Sequence, residues 1–241
     1  SALGQISHVQ VSGNRAYLTG YYMGLTVVDV SNPALPVGLG RHHNIYVYGH
    51  ITVVNNLVFV CNNGGSVSIF NVSNPIRPIL LSTTNMGSEV SQIYVSGNRL
   101  FAVETYNLRI YDISNPTTPL LISISESKYY LKSIDVNGNH AYVLSYEGGL
   151  IVYDVSNPSN PFVASYLDFG STMYVVRIKA DRAYLLGYSV WVVDISNPIN
   201  PMLLGTYDNS YHSDSMNYNI VDCERFCVGS KIGRASCRER V

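Results

Sequence analysis

Gly149-Leu150-Ile151-Val152-Tyr153-Asp154-Val155-Ser156-Asn157-Pro158 is an apolar run that ends at an acidic residue and a proline-closed turn. An unbroken apolar stretch of this length suits a β-strand covered on both faces. Proline lacks a backbone N–H and fixes φ, so it ends the strand and opens a turn. The phrase recurs four more times, as Asp29-Val30-Ser31-Asn32-Pro33, Asn71-Val72-Ser73-Asn74-Pro75, Asp112-Ile113-Ser114-Asn115-Pro116 and Asp194-Ile195-Ser196-Asn197-Pro198. From Pro33 through Pro75, Pro116, Pro158 and Pro198 the steps are 42, 41, 42 and 40 residues. A second proline follows three residues later each time (Pro36, Pro78, Pro119, Pro161, Pro201), where an outer strand can begin without a donor.

A second phrase precedes each copy. Val9-Gln10-Val11-Ser12-Gly13-Asn14-Arg15-Ala16-Tyr17-Leu18 is repeated closely from Ile93 and from Ile134, and more loosely from Ile51 and from Val176. Its Ser-Gly-Asn-Arg segment is a hairpin signal between two alternating runs. Each unit therefore reads as four short strands, A to D, with no helical pattern anywhere. Such a sheet buries both faces only against neighbouring copies, so radial repetition is the expected architecture. The predicted fold is all-β: a β-propeller of four-stranded antiparallel blades over about 5–46, 47–88, 89–129, 130–171 and 172–214, with a partial sixth over 215–230 where Val221-Asp222-Cys223-Glu224-Arg225-Phe226 restarts the pattern. On this reading the chain is a truncated ring whose end blades expose apolar faces, an aggregation hazard.

The apolar-Asp-Val-Ser-Asn-Pro phrases, with Leu25-Thr26-Val27-Val28-Asp29 and Val190-Trp191-Val192-Val193-Asp194, resemble the LVIVD repeat over essentially all of residues 1–230. The departures are Asn71 in place of Asp and Lys179-Ala180-Asp181 in place of the Gly-Asn turn. The resemblance implies a propeller-type fold in bacterial and archaeal proteins that are often secreted or displayed at the surface. An extracellular, periplasmic or cell-surface location is therefore expected. It implies no general activity and brings no catalytic residues.

The last residues, Lys231–Val241, read as a translated sequencing adapter and are expected to form a non-native tail. Leaving them out lowers Lys+Arg from 15 to 11 and Asp+Glu from 16 to 15, so net charge moves from -1 to -4. Cysteine falls from 4 to 3 (Cys61, Cys223 and Cys227), an odd number that gives no disulfide framework. No clustered basic surface points to nucleic acid. No stretch of about 18 apolar residues forms a transmembrane segment, and no leader pattern opens the chain.

Positions constant among the five copies serve the scaffold. Positions that differ are free to make a site. The A–B and C–D turns are nearly constant and belong at one end of the blades; the B–C and D–A loops vary and belong at the other. Asp29, Asn71, Asp112, Asp154 and Asp194 are assigned as structural acceptors for turn N–H groups. The variable loops share tyrosine: Tyr21, Tyr22, Tyr106, Tyr146 and Tyr188 in B–C loops, and Tyr46, Tyr48, Tyr129, Tyr130, Phe169 and Tyr211 in D–A loops. Tyr offers a flat apolar area with a polar tip at low entropic cost, which suits a binding surface. Acidic residues gather there too (Glu89, Glu104, Glu126, Glu147, Asp168, Asp208, Asp214), against Arg41 and Lys128, so a negative face favouring cationic groups is expected. His42, His43, His50 and His212 do not make a zinc pattern. No catalytic motif, metal site or cofactor motif is found.

The sequence thus points to a non-enzymatic module binding a protein or glycan partner through Tyr21, Tyr22, Tyr106, Tyr129, Tyr130, Tyr146, Tyr188, Glu104 and Glu147. Two alternatives stay open: a polysaccharide hydrolase with carboxylates among Glu104, Glu147 and Asp168, and a passive spacer within a larger surface protein.

Overall fold

The computed structural model describes residues 6–20, 23–43, 47–62 and 64–208. These form five four-stranded antiparallel sheets, each made of consecutive strands. The first blade contains β1 (Ile6–Ser12), β2 (Arg15–Gly20), β3 (Gly24–Asp29) and β4 (Val37–His42). The second contains β5 (Val47–Val54), β6 (Leu57–Asn62), β7 (Ser66–Asn71) and β8 (Ile79–Asn85). The third contains β9 (Val90–Ser96), β10 (Arg99–Glu104), β11 (Asn107–Asp112) and β12 (Leu120–Glu126). The fourth contains β13 (Leu131–Asn137), β14 (His140–Ser145), β15 (Gly149–Asp154) and β16 (Phe162–Asp168). The fifth contains β17 (Met173–Lys179), β18 (Arg182–Gly187), β19 (Ser189–Asp194) and β20 (Met202–Asp208). A bridge between Gly20 and Val47 ties the first two blades. The innermost strands β1, β5, β9, β13 and β17 pack in that order around the axis.

The core lies between blades, one cluster per boundary. Phe101, Val103, Leu108 and Ile110 of the third blade meet Leu131, Ile134, Ala141, Val143, Ile151 and Tyr153 of the fourth. Strand C is apolar along most of its length because alternate residues serve different boundaries. In β15, Ile151 and Tyr153 face the third blade, whereas Leu150 and Val152 join Met173, Val176 and Trp191 of the fifth. The outer strands carry a bulge at the same place in every blade, after Val27, Ile69, Ile110, Val152 and Val192 of the paired strand C. The residues so displaced, Leu39, Leu81 and Ile122, turn inward onto the core.

The repeated turn does more than stop a strand. Asp29, Asn71, Asp112, Asp154 and Asp194 each accept, through Oδ1, the N–H of the serine two residues on, at 2.8 to 2.9 Å. The following Asn does the same for the residue after proline, as in Asn32 to Ala34 and Asn157 to Ser159. The first proline's carbonyl then receives a hydroxyl from the preceding blade: Ser82 to Pro116, Ser123 to Pro158 and Ser165 to Pro198, each at 2.7 Å. In the first blade this position is Gly40, and a Cβ there would come within 2.3 Å of the Pro75 carbonyl oxygen, so the boundary closes without room for a side chain.

The inner edge is capped in the same inter-blade manner. Gln10 Oε1 accepts from Val53 N, Gln92 Oε1 from Ser133 Oγ and Ile134 N, and Asp135 Oδ2 from Ile178 N. These bonds satisfy innermost-strand donors that no further strand covers. At the ends of the series the repeat leaves apolar surface open. Val9 is 43 % exposed, although its counterparts Ile93, Ile134 and Val176 are fully buried. Leu204, the fifth bulged residue, is likewise exposed.

Candidate functional site

The B–C turns on the variable face are very short. Two residues separate β10 from β11, three separate β14 from β15, and one separates β18 from β19. Each turn holds one tyrosine pinned at its base by strand hydrogen bonds, so Tyr106, Tyr146 and Tyr188 are presented rigidly and are about half exposed. Between them stand Tyr130, just before β13, and Tyr174 in β17, both half-buried. The five rings form one continuous edge-to-face series. Centroid separations are 6.0 Å for Tyr106–Tyr130, 6.1 Å for Tyr130–Tyr146, 6.4 Å for Tyr146–Tyr174 and 6.1 Å for Tyr174–Tyr188, with interplanar angles of 70° to 79°. Edge-to-face contacts at this distance hold rings in place. The strip crosses the third, fourth and fifth blades.

Its polar neighbours are few. Lys132 Nζ lies 5.9 Å from the Tyr130 ring centre. Glu147 is exposed, and its Oε1 accepts the Tyr130 N–H at 3.3 Å. Farther out, Tyr129 stacks flat on Tyr166 at 5.0 Å and 4°, with Lys128 Nζ 4.8 Å above it. The hydrogen bond with Tyr166, then that with Lys128, lowers the pKa of the Tyr129 phenol below its ordinary value, and burial raises that of Tyr166. Asp168 and Glu147 both lie close enough to raise Tyr166 further.

Several expected site residues are placed otherwise. Glu104 does not face solvent: it is fully buried, its carboxylate meets Arg109 Nε at 2.6 Å and accepts the Ser88 hydroxyl at 2.9 Å. It sits at the end of β10, where the pairing with β9 shifts register between Val103 and Glu104. Arg109 neutralises Glu104, and Lys128 and Lys132 stand over the Tyr129 and Tyr130 rings. Phe169 is a filler, half-buried on the boundary cluster and 6.2 Å from Trp191. His42 packs edge-to-face on Phe70 across the first boundary. Cys61 is buried and free, and burial pushes its thiol up, which leaves it inert. No group of three metal-ligating side chains occurs among the described residues. Tyr21, Tyr22, Tyr46, Tyr211, His212, Asp214, Cys223 and Cys227 lie outside the described residues, as do the side chains of Tyr48 and Asp208.

Sequence reasoning passed over Tyr174, Lys132 and Arg109. Tyr174 belongs to a strand A column otherwise filled by Ser7, Gly49, Ser91 and Lys132. A large aromatic in a column of small or polar residues was the available signal. Beside the strip a cleft of about 500 Å³ opens between the second and third blades, lined by Gly49, Cys61, Asn62, Gly64, Ser88, Glu89 and Val90.

The LVIVD-repeat profile matches residues 3–43, 87–126, 130–168 and 183–209, more than half of the chain. The chain belongs to the LVIVD-repeat family. No curated protein sequence matches it. Among solved structures, a protein from Lactobacillus plantarum superposes with a TM-score of 0.73 at 12 % identity, over 86 % of this chain and 72 % of that one. The β-propeller domain of Myceliophteria thermophila Cps50 (Swd1) gives 0.67 at 12 %, over 88 % and 74 %. The computationally designed Ika8 protein gives 0.65 at 14 %, over 80 % and 59 %, so this chain spans about three fifths of that protein's length. These likenesses establish the LVIVD chain as a β-propeller fold and carry no activity with them.

Proposed function

We propose that this LVIVD-repeat chain is a non-enzymatic binding module, secreted or displayed at the cell surface, that engages a protein or glycan partner through its tyrosine-rich loop face. The observation that carries the reading is the unbroken series Tyr106–Tyr130–Tyr146–Tyr174–Tyr188. Five aromatic rings from three blades, three of them on one- to three-residue turns and two at or in an innermost strand, form a surface that loses little conformational entropy when a ligand settles on it. The repeated scaffold positions do not require these residues. The equivalent B–C loop of the second blade is Asn63-Gly64-Gly65, and that blade forms its four strands regardless. The hydrolase alternative gains nothing from Glu104, which is sealed in its ion pair with Arg109.

Peptide and oligosaccharide arrays probed with the intact chain and with the Tyr106→Ala/Tyr146→Ala/Tyr188→Ala variant test the assignment. A saturable ligand whose affinity falls at least about tenfold in the variant, at unchanged melting temperature, is expected. Equal binding by both chains would remove the strip from the function, and silence on both arrays would favour the passive spacer.

A further inference from the structure

We infer that the cleft between the second and third blades seats a lysine or arginine side chain of a protein partner, its cation held by Glu89 and by the amide oxygen of Asn62. The inference rests on the reading of the loop face as a binding surface and chooses protein over glycan there.

The cleft exists because the second blade leaves out side chains that the fifth supplies. Tyr174 fills the strand A position of the fifth blade and Tyr188 its B–C loop. In the second blade the strand position is Gly49 and the loop reads Asn63-Gly64-Gly65. A Cβ on Gly49 would stand 2.6 Å from the Cys61 Cβ, so that wall is closed to a side chain, whereas Gly64 faces open space. The result is an opening of about 500 Å³, with Cys61 and Val90 on its apolar side and polar atoms from Asn62, Ser88 and Glu89. An aliphatic stem can lie along the first pair while its charged head reaches the second group.

Hydrogen-bonding balance selects the head group. The side-chain donors of the lining are spent. Asn62 Nδ2 donates to Ser66 Oγ at 3.0 Å and to Ser68 Oγ at 2.8 Å, and Ser88 Oγ donates to Glu104 at 2.9 Å. The acceptors are not spent. Asn62 Oδ1 has no partner, and the exposed Glu89 carboxylate stands outside the ion pairs among the described residues, which join Arg109 to Glu104 and His140 to Asp154. No Lys, Arg or His lines the cleft. Arg109, which approaches Gly87 beside it, is already paired with Glu104. A site with free acceptors, a negative charge and no free side-chain donor matches ammonium and guanidinium groups, which carry donors and no acceptor. A sugar hydroxyl both gives and takes hydrogen bonds, and these side chains have no donor to return to it.

The test is calorimetric titration of the full 241-residue chain with the Nα-acetyl methylamides of lysine, arginine, norleucine and glutamate, and with a linear β-1,4-linked glucose hexasaccharide. The capped ends are neutral and identical, so only the side chains differ. Saturable binding of the lysine and arginine compounds is expected, weakening as salt is raised, with none for norleucine or glutamate. Glu89→Gln, at an exposed position where folding is not at risk, should weaken it about threefold. Asn62→Asp, which places a second carboxylate beside the same serine hydroxyls, should strengthen it about threefold, a gain that a damaged fold would not produce. Norleucine binding as well as lysine, or an affinity for lysine and arginine that Glu89→Gln leaves unchanged, overturns the inference. So does binding of the hexasaccharide that falls in Glu89→Gln, which would give the cleft to a glycan. If none of the amides binds, the cleft inference fails, while an array ligand that still depends on Tyr106, Tyr146 and Tyr188 would leave the binding-face reading standing.

Discussion

Ser123 donates its hydroxyl to the carbonyl oxygen of Pro158 at 2.7 Å, across the boundary between the third and fourth blades. The same bond joins Ser82 to Pro116 and Ser165 to Pro198. One turn sequence therefore ends a strand within its own blade and latches the outer strand of the blade before it. Ser123→Ala should lower stability by about 1 kcal/mol, the usual net worth of a neutral hydrogen bond. The three boundaries lie apart, so Ser82→Ala, Ser123→Ala and Ser165→Ala should add. Urea unfolding of the singles and the triple checks both statements, and a triple no weaker than one single would show that the latch carries no energy.

The Glu104–Arg109 pair predicts an asymmetric result. Arg109→Ala leaves a fully buried carboxylate without its counter-charge and should cost about 3 to 5 kcal/mol, or force the carboxyl to take up a proton. Replacing both residues, as Glu104→Gln with Arg109→Met, should recover most of that loss, because the uncompensated charge is gone. Thermal melts of the single and double variants separate these cases. Equal damage from both would mean that packing, not charge, is what Arg109 supplies.

Ala180 occupies the turn position that Gly13, Gly97 and Gly138 fill elsewhere, with φ at 51° against 56°, 55° and 57°. Left-handed backbone costs a side-chain-bearing residue roughly 1 to 2 kcal/mol, and added glycine entropy returns about 0.5 to 1 kcal/mol of that. Ala180→Gly should therefore stabilise the fifth blade by about 0.5 to 1 kcal/mol. No neighbour stands within 4 Å of the corresponding glycine Cβ positions, so the effect is conformational and not steric. A denaturation midpoint that does not rise refutes it.

His50 sets a pH dependence. Its Nδ1 is shut off from solvent, although the residue as a whole is half-buried, and that desolvation, with the charges of Arg177 and His8, brings the imidazole from 6.5 down to about 3. The unfolded chain takes up a proton near 6.5 and the folded chain does not until about 3, so stability falls as pH drops through that window. The slope approaches about 1.4 kcal/mol per pH unit for a single proton. His50→Gln should flatten the decline between pH 6 and pH 4. Urea midpoints across that range measure it, and parallel curves for the two chains would exclude His50 as the source.

The amino-acid sequence by itself determined the unit, the four strands in it, the all-β propeller class and the two kinds of loop. Those features are local: a proline-closed turn, a Gly-Asn hairpin and an alternating or continuous apolar run act within a few residues, and their recurrence about every 42 residues makes them legible. It also singled out Tyr106, Tyr130, Tyr146 and Tyr188 by residue type. Only the tertiary structure decided which of them meet. Tyr174 joins Tyr146 to Tyr188, Phe169 turns in to Trp191, Glu104 sinks onto Arg109, and serine hydroxyls find proline carbonyls some 33 to 35 residues away. The inter-blade contacts depend on how neighbouring blades rotate about the common axis, and the burial of Glu104 on its meeting Arg109 and Ser88 at the end of a strand whose register shifts there. No sequence period encodes that geometry, because it emerges when the apolar faces of successive sheets close on one another.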